Sequence, residues 1–97
     1  MRNIYRFIFS ETVPAKRVEE NLFWAVFNTE SIYGKSKVRL DGSFLFDRKQ
    51  KICLIDKTTQ IGQHIAQLFT SLIAREFGEQ SFRVVRIADK EEAHLDK

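Results

Sequence analysis

The residues best suited to chemistry are few and scattered. His64 and His94 stand thirty positions apart, and the single cysteine, Cys53, lies in an apolar run, Ile52-Cys53-Leu54-Ile55. No CxxC pair, HExxH signature or acidic calcium loop is present, so the ligand spacing of a zinc or calcium site is missing and no metal is expected. A thiol in such a run reads as a small core hydrophobe with a raised pKa, which makes it a poor nucleophile. No serine occupies a GxSxG elbow.

One stretch has the ingredients of a weak anion site. Asp56-Lys57-Thr58-Thr59-Gln60-Ile61-Gly62 offers hydroxyls, a lysine and the free amides of a helix start, with Lys57, Thr58 and Thr59 as the binding residues. Helix capping by Thr58 or Thr59 explains the same residues more simply, with Asp56 near the positive end of the helix. Asp41, Asp47 and Asp56 could be drawn together as an acid/base set. However, Asp47 and Asp56 sit at opposite ends of one expected hairpin, nine positions apart. At ~3.3 Å per residue they are too distant to act on one bond. No catalytic set emerges, no cofactor is implied, and the chain reads as a non-enzyme.

Composition bounds the rest. At 97 residues with 43% hydrophobic content and nine Phe, the chain fits one small domain with an aromatic core. A domain this size is marginal, which favours oligomerisation. The formal charge of +3 leaves nucleic acid possible only if the positive charges gather on one face. A lone cysteine argues for a reducing compartment. The N-terminal apolar run is broken by Arg6 and resembles neither a signal peptide nor a membrane span. The expected location is the cytoplasm.

These residues need elements to position them. Arg2 to Ser10 favours a strand that is apolar on both faces. Pro14, with Thr12 as a possible cap, opens a helix running to about Ile32, with Val18, Leu22, Ala25 and Val26 on one stripe and Gly34 beyond its end. Lys37 to Asp47 alternates in period two, with Val38, Leu40, Gly42, Phe44 and Phe46 on one face, and predicts a strand. Arg48 to Lys51 turns the chain into a second strand, Lys51 to Asp56. A helix from Thr58 or Thr59 to Phe77 buries Ile61, Ile65, Leu68, Phe69 and Leu72, and Ser81 to Ile87 supplies a last strand. Residues 89–97 read as a charged, disordered tail beyond a single domain, 1–88. The order βαββαβ predicts an α+β fold of the ferredoxin-like, split βαβ kind. Its four-stranded antiparallel sheet has strand order 4-1-3-2 and two helices on one face. That fold hosts many unrelated functions and implies no activity.

Two exteriors then attract attention. Arg6 should point away from the helix-covered core, because an unpaired charge there is costly. Ile4 and Ile8 share its face, joined by Arg39, Asp41, Ser43 and Leu45 from the hairpin and by Arg83 or Arg86 from the last strand. Phe23, Trp24 and Phe27 project off the buried stripe of the first helix at ~100° per residue. Arginine stems covering the aliphatics would make the sheet face merely solvated. A protein interface fits better, with Ile4, Arg6, Ile8, Arg39, Leu45, Phe23, Trp24 and Phe27 as its residues. RNA-recognition domains share the topology but stack bases on aromatics of the first and third strands. Here the third strand has no aromatic, and Tyr5, Phe7 and Phe9 should face inward. The expected function is a non-enzymatic interaction module, a homodimer or a subunit of a larger assembly. Single-stranded nucleic-acid binding and small-ligand or anion binding are the alternatives.

Overall fold

Of the nine phenylalanines, Phe7, Phe9 and Phe69 are buried, and the first strand supplies the centre of the interior they share. The computed structural model describes residues 3–88, the last of them by its backbone alone; the stretch expected to form a tail, 89–97, lies outside the described residues. Strand β1 (Asn3–Phe9) leads into helix α1 (Ala15–Tyr33), a short helix α2 (Lys35–Asp41), the hairpin β2 (Phe44–Asp47) and β3 (Ile52–Asp56), helix α3 (Gln60–Phe77), a 3₁₀ turn (Glu79–Ser81) and β4 (Phe82–Ala88). The fold is α+β, with one four-stranded antiparallel sheet and three helices. Strand order along the sheet is β2-β3-β1-β4, which is 4-1-3-2 counted from the other edge.

The core follows from side-chain periods. Phe7 and Phe9 alternate with Arg6 and Ile8 along β1 and point under the helices, where Phe7 is fully buried. From α1, Val18, Leu22, Ala25 and Thr29 form the buried stripe. From α3 the stripe is Ile61, Ile65, Ala66, Phe69 and Ile73, with Leu68 and Leu72 only partly buried at its margin. Relative to expectation the stripe is rotated, with Ala66 and Ile73 buried in place of Leu68 and Leu72. Phe69 meets Phe7 edge-on at 5.0 Å and Phe9 at 6.1 Å, the geometry that ring quadrupoles favour. Thr29, polar but buried, returns its hydroxyl to the Ala25 carbonyl at 2.8 Å.

Three local expectations need correction. Lys35–Asp41 is helical, so the strand expected from Lys37 shrinks to Phe44–Asp47. Gly34 takes φ 93°, which turns the chain out of α1 and straight into α2. Val38 is then the one side chain of α2 that reaches the core, and Leu40 is left exposed. Pro14 is the N-cap of α1 rather than its first helical residue, and no side chain caps it. Thr12 instead hydrogen-bonds Ser10 within a preceding turn. That turn is held by Lys51, whose Nζ donates to the carbonyls of Ser10, Glu11 and Val13 at 3.0, 3.1 and 2.6 Å. Lys51 adopts φ 54° in the hairpin turn. This left-handed conformation is uncommon outside glycine, and here the clamp rewards it.

A polar clasp fixes α1 to α3. Arg17 Nε and Nη2 reach both Glu76 oxygens at 2.7 Å, Asn21 Nδ2 adds 3.0 Å to Oε1, and Arg17 also pairs with Glu20. The bidentate guanidinium, helped by Asn21, holds the Glu76 carboxyl below its ordinary range.

Two outcomes are expected. Phe69→Ala should cost about 3–5 kcal/mol in urea unfolding, because the helix-sheet core cannot collapse around the lost ring. A Glu76 carboxyl depressed in the fold stabilises above its ordinary value of 4.5 and loses that effect as the pH falls through the folded value. The melting temperature of the native chain should therefore drop more between about pH 5 and 3 than that of Glu76→Gln.

Candidate protein-interaction surface

On α1, the residues that miss the buried stripe are aromatic. Phe23, Trp24 and Phe27 are 74%, 55% and 53% exposed, and Trp24 meets Phe27 edge-on at 5.9 Å. Singly exposed apolar residues are ordinary, but three neighbouring rings on one helix are not. Arg17, Glu19 and Glu20 border them in a shallow depression of about 690 Å³. Toward the sheet, Leu22, Phe23 and Val26 of α1 face Phe44, Leu45 and Phe46 of β2 across a groove of about 380 Å³. The aromatic side of α1 thus runs onto the edge strand.

That edge is open. The Ser43 carbonyl accepts from Asp56 N at 2.9 Å, and Leu45 pairs with Leu54 in the next hydrogen-bonding position along the ladder. By alternation, the N–H and C=O groups of Phe44 and Phe46 point away from β3. Phe44 is on the helix side of the sheet, as its position in the alternation requires, yet it is 43% exposed because no strand lies beyond it among the described residues. Sequence alternation placed it in the core. The missing signal was that β2 is an edge.

The open sheet face is a different surface from the one expected. Register puts Arg83 beside Ile8, on that face, and Arg86 beside Tyr5, on the helix side. Arg39 belongs to α2 and Asp41 ends it, so neither lies on the sheet. Ile4, expected at an interface, is only 6% exposed between Asp56 and Ile87. Arg6 and Ile8 are half-buried, and the exposed aliphatics of this face are Leu45, at 61% on the β2 edge, and Val85, at 36% on β4. Two arginines, Arg6 on β1 and Arg83 on β4, share the face with two aspartates, Asp47 on β2 and Asp56 on β3, so among the described residues its charges balance in number. No aromatic ring lies on it among the described residues, and Tyr5, Phe7 and Phe9 point to the helices.

The groups singled out for chemistry each have a local role. Thr59 Oγ1 accepts from Gly62 N at 3.0 Å, capping α3, and donates to the Asp41 carbonyl. Thr58 Oγ1 accepts from Asn3 N, and Lys57 Nζ lies 4.4 Å above the Tyr5 ring and 3.1 Å from its hydroxyl. Gly62 is required because any Cβ there would strike the Asp56 carbonyl, which is a packing need rather than a phosphate cradle. Asp41 pairs with Lys37, and Asp47 closes the hairpin turn through Lys49 N and Gln50 N. His64 packs edge-on against Tyr33 at 5.4 Å, with Nε2 buried and unpartnered among the described residues. Burial pushes the Cys53 thiol up to about 12. No three His, Cys, Asp or Glu side chains gather to hold a metal among the described residues. No helix among them is long and apolar enough to cross a membrane.

Comparison with protein-family models, with curated proteins and with solved structures finds no match for this chain.

If the α1 rings contribute nothing to the isolated fold, Phe23→Ser and Phe27→Ser should each change the unfolding free energy by less than about 0.5 kcal/mol. A loss above about 2 kcal/mol from either, read from denaturant midpoints, would mean that these rings belong to the core after all.

Proposed function

We propose that this chain is a non-enzymatic protein-interaction module of ferredoxin-like, split βαβ architecture, with α2 inserted before the hairpin. It docks through the aromatic side of α1 and the adjoining β2 edge. The observation that carries this reading is the run of exposed rings, Phe23, Trp24 and Phe27, opening onto the β2 groove. Aromatic residues of this kind are enriched in interfaces, where rigid rings bury large areas at little entropic cost. At roughly 200 Å² per ring, their exposed fractions amount to on the order of 350 Å² of apolar surface, a substantial patch for a small monomer.

The sheet face contributes only its Leu45 margin, so the interface expected around Ile4, Arg6 and Ile8 moves to the neighbouring edge. A nucleic-acid reading draws no support from a face whose arginines are matched by aspartates and which offers no ring for stacking. An anion-binding reading around Lys57, Thr58 and Thr59 is weakened by the internal partners of all three. The buried thiol of Cys53 is in keeping with a reducing compartment such as the cytoplasm.

A photo-crosslinking residue at position 23, in cells that make the chain, should give a covalent adduct of higher mass. The same residue at Arg75, on the water-facing side of α3, should not. Equal yields from the two positions, or no adduct from position 23, would remove the docking surface.

A further inference from the structure

The edge strand itself specifies an occupant. Resting on the docking surface just described, we propose that a second copy of this chain fills it. In that arrangement β2 pairs antiparallel with its own symmetry mate, in the register that sets Leu45 opposite Leu45 of the other copy. In this register both outward-facing residues of β2 find their partners within β2 itself, which no other two-fold register achieves. Phe44 and Phe46 both point their N–H and C=O away from β3. With Leu45 on a two-fold axis, Phe44 of each copy meets Phe46 of the other, and each residue donates once and accepts once. The axis stands perpendicular to the sheet, so the pairing yields one continuous eight-stranded sheet with both α1 helices on the same face. Phe23 and Phe27 then come to the junction from either side.

Charge and area agree with this occupant. Asp47 of one copy falls opposite Ser43 of the other, and Arg48 opposite Gly42, so no like charges confront each other. The opposite edge of the sheet is β4, where exposed Arg83 and Arg86 guard against such pairing. Edge β2, by contrast, offers Phe44, Leu45 and Phe46 with no lysine, arginine or proline among them. Phe23, Trp24, Phe27, Phe44 and Leu45 together present on the order of 500 Å² of apolar surface per copy. With the strand backbone and the polar margin added, this approaches the ~800 Å² per partner of a stable interface.

Sedimentation equilibrium of the full chain at about 100 μM should give twice the 11.4 kDa chain mass in a concentration range typical of modest interfaces. Phe44→Pro removes an outward donor without touching the β2–β3 ladder, and should weaken the dimer by about tenfold or more. Leu45→Lys, which sets two ammonium groups face to face at an exposed position, should do the same and keeps the test valid if the proline variant unfolds. Across the axis the Leu45→Cys α-carbons would lie about 4.5 Å apart, within disulfide reach. Mild oxidation should therefore link nearly all of that variant. Leu40→Cys, more exposed but on α2, should not link, and buried Cys53 stays silent in both. A monomer at every concentration overturns the second copy, while a position-23 adduct with some other protein would still leave the docking surface standing. A dimer that survives Phe44→Pro and Leu45→Lys and fails to link through Leu45→Cys has its contact elsewhere, which overturns the inference.

Discussion

Phe7 on the central strand and Phe69 on α3 meet edge-on at 5.0 Å, and both are sealed from water. Around this contact the sheet and the two long helices acquire fixed positions. Phe9 stacks in line with Phe7 and also meets Phe69, Phe82 tilts in from β4, and Cys53 and Ile55 arrive from β3. The pair links residues far apart in sequence, so its ordering entropy is large and the ring burial must repay it. Once it forms, every strand has a defined inner face. The alternation along β1 then leaves Arg6 half-buried on the open face, clear of the larger desolvation cost of the core.

That same contact decides what is left over. Helix α1 can turn only one stripe to the core, and Val18, Leu22, Ala25 and Thr29 fill it. Phe23, Trp24 and Phe27 therefore have no place in the interior, however apolar they are. The Arg17–Glu76 clasp and Asn21 prevent α1 from rolling to bury them. Surface ion pairs of this kind add little stability, but a bidentate geometry is directional and fixes rotation about the helix axis. Its role is orientation more than strength.

Much of this was readable from residue patterns. The long helices carry many periods of signal, since α1 and α3 each repeat their apolar stripe over several turns, and β1 is a run of β-favouring residues interrupted only by Arg6. Their ends were marked by Gly34 and Gly78, both with positive φ. The hairpin turn was visible in its charged residues. What could not be read was α2. Lys35–Asp41 holds one core-facing residue, Val38, and a single anchor fits a period of 2 as well as one of 3.6. Gly34 turns the chain so that the helical solution packs Val38, and Leu40, which alternation placed inside, is left in water. The consequence reached the candidate surface, since Arg39 and Asp41 left the sheet with that segment. The rings of α1 were legible as off-stripe residues. The β2 edge beside them was not, because edge position is a property of the sheet order and never of the strand alone.

The two edges of the sheet show how this arrangement can be both stable and available. At β4 the side chains of Arg83 and Arg86 stand exposed on the two faces, so an incoming strand would have to desolvate charge on either side. At β2 it would meet Phe44 and Phe46 on the helix side and Leu45 on the other, all apolar. On the flanking helix Trp24 rests edge-on against Phe27, and the groove between α1 and β2 exists before anything enters it. Association at such a preformed surface forfeits little side-chain freedom. Covering it would still have to offset the translational and rotational cost of association, and the aromatic residues that the core excludes are the part of the molecule with the most apolar surface left to cover.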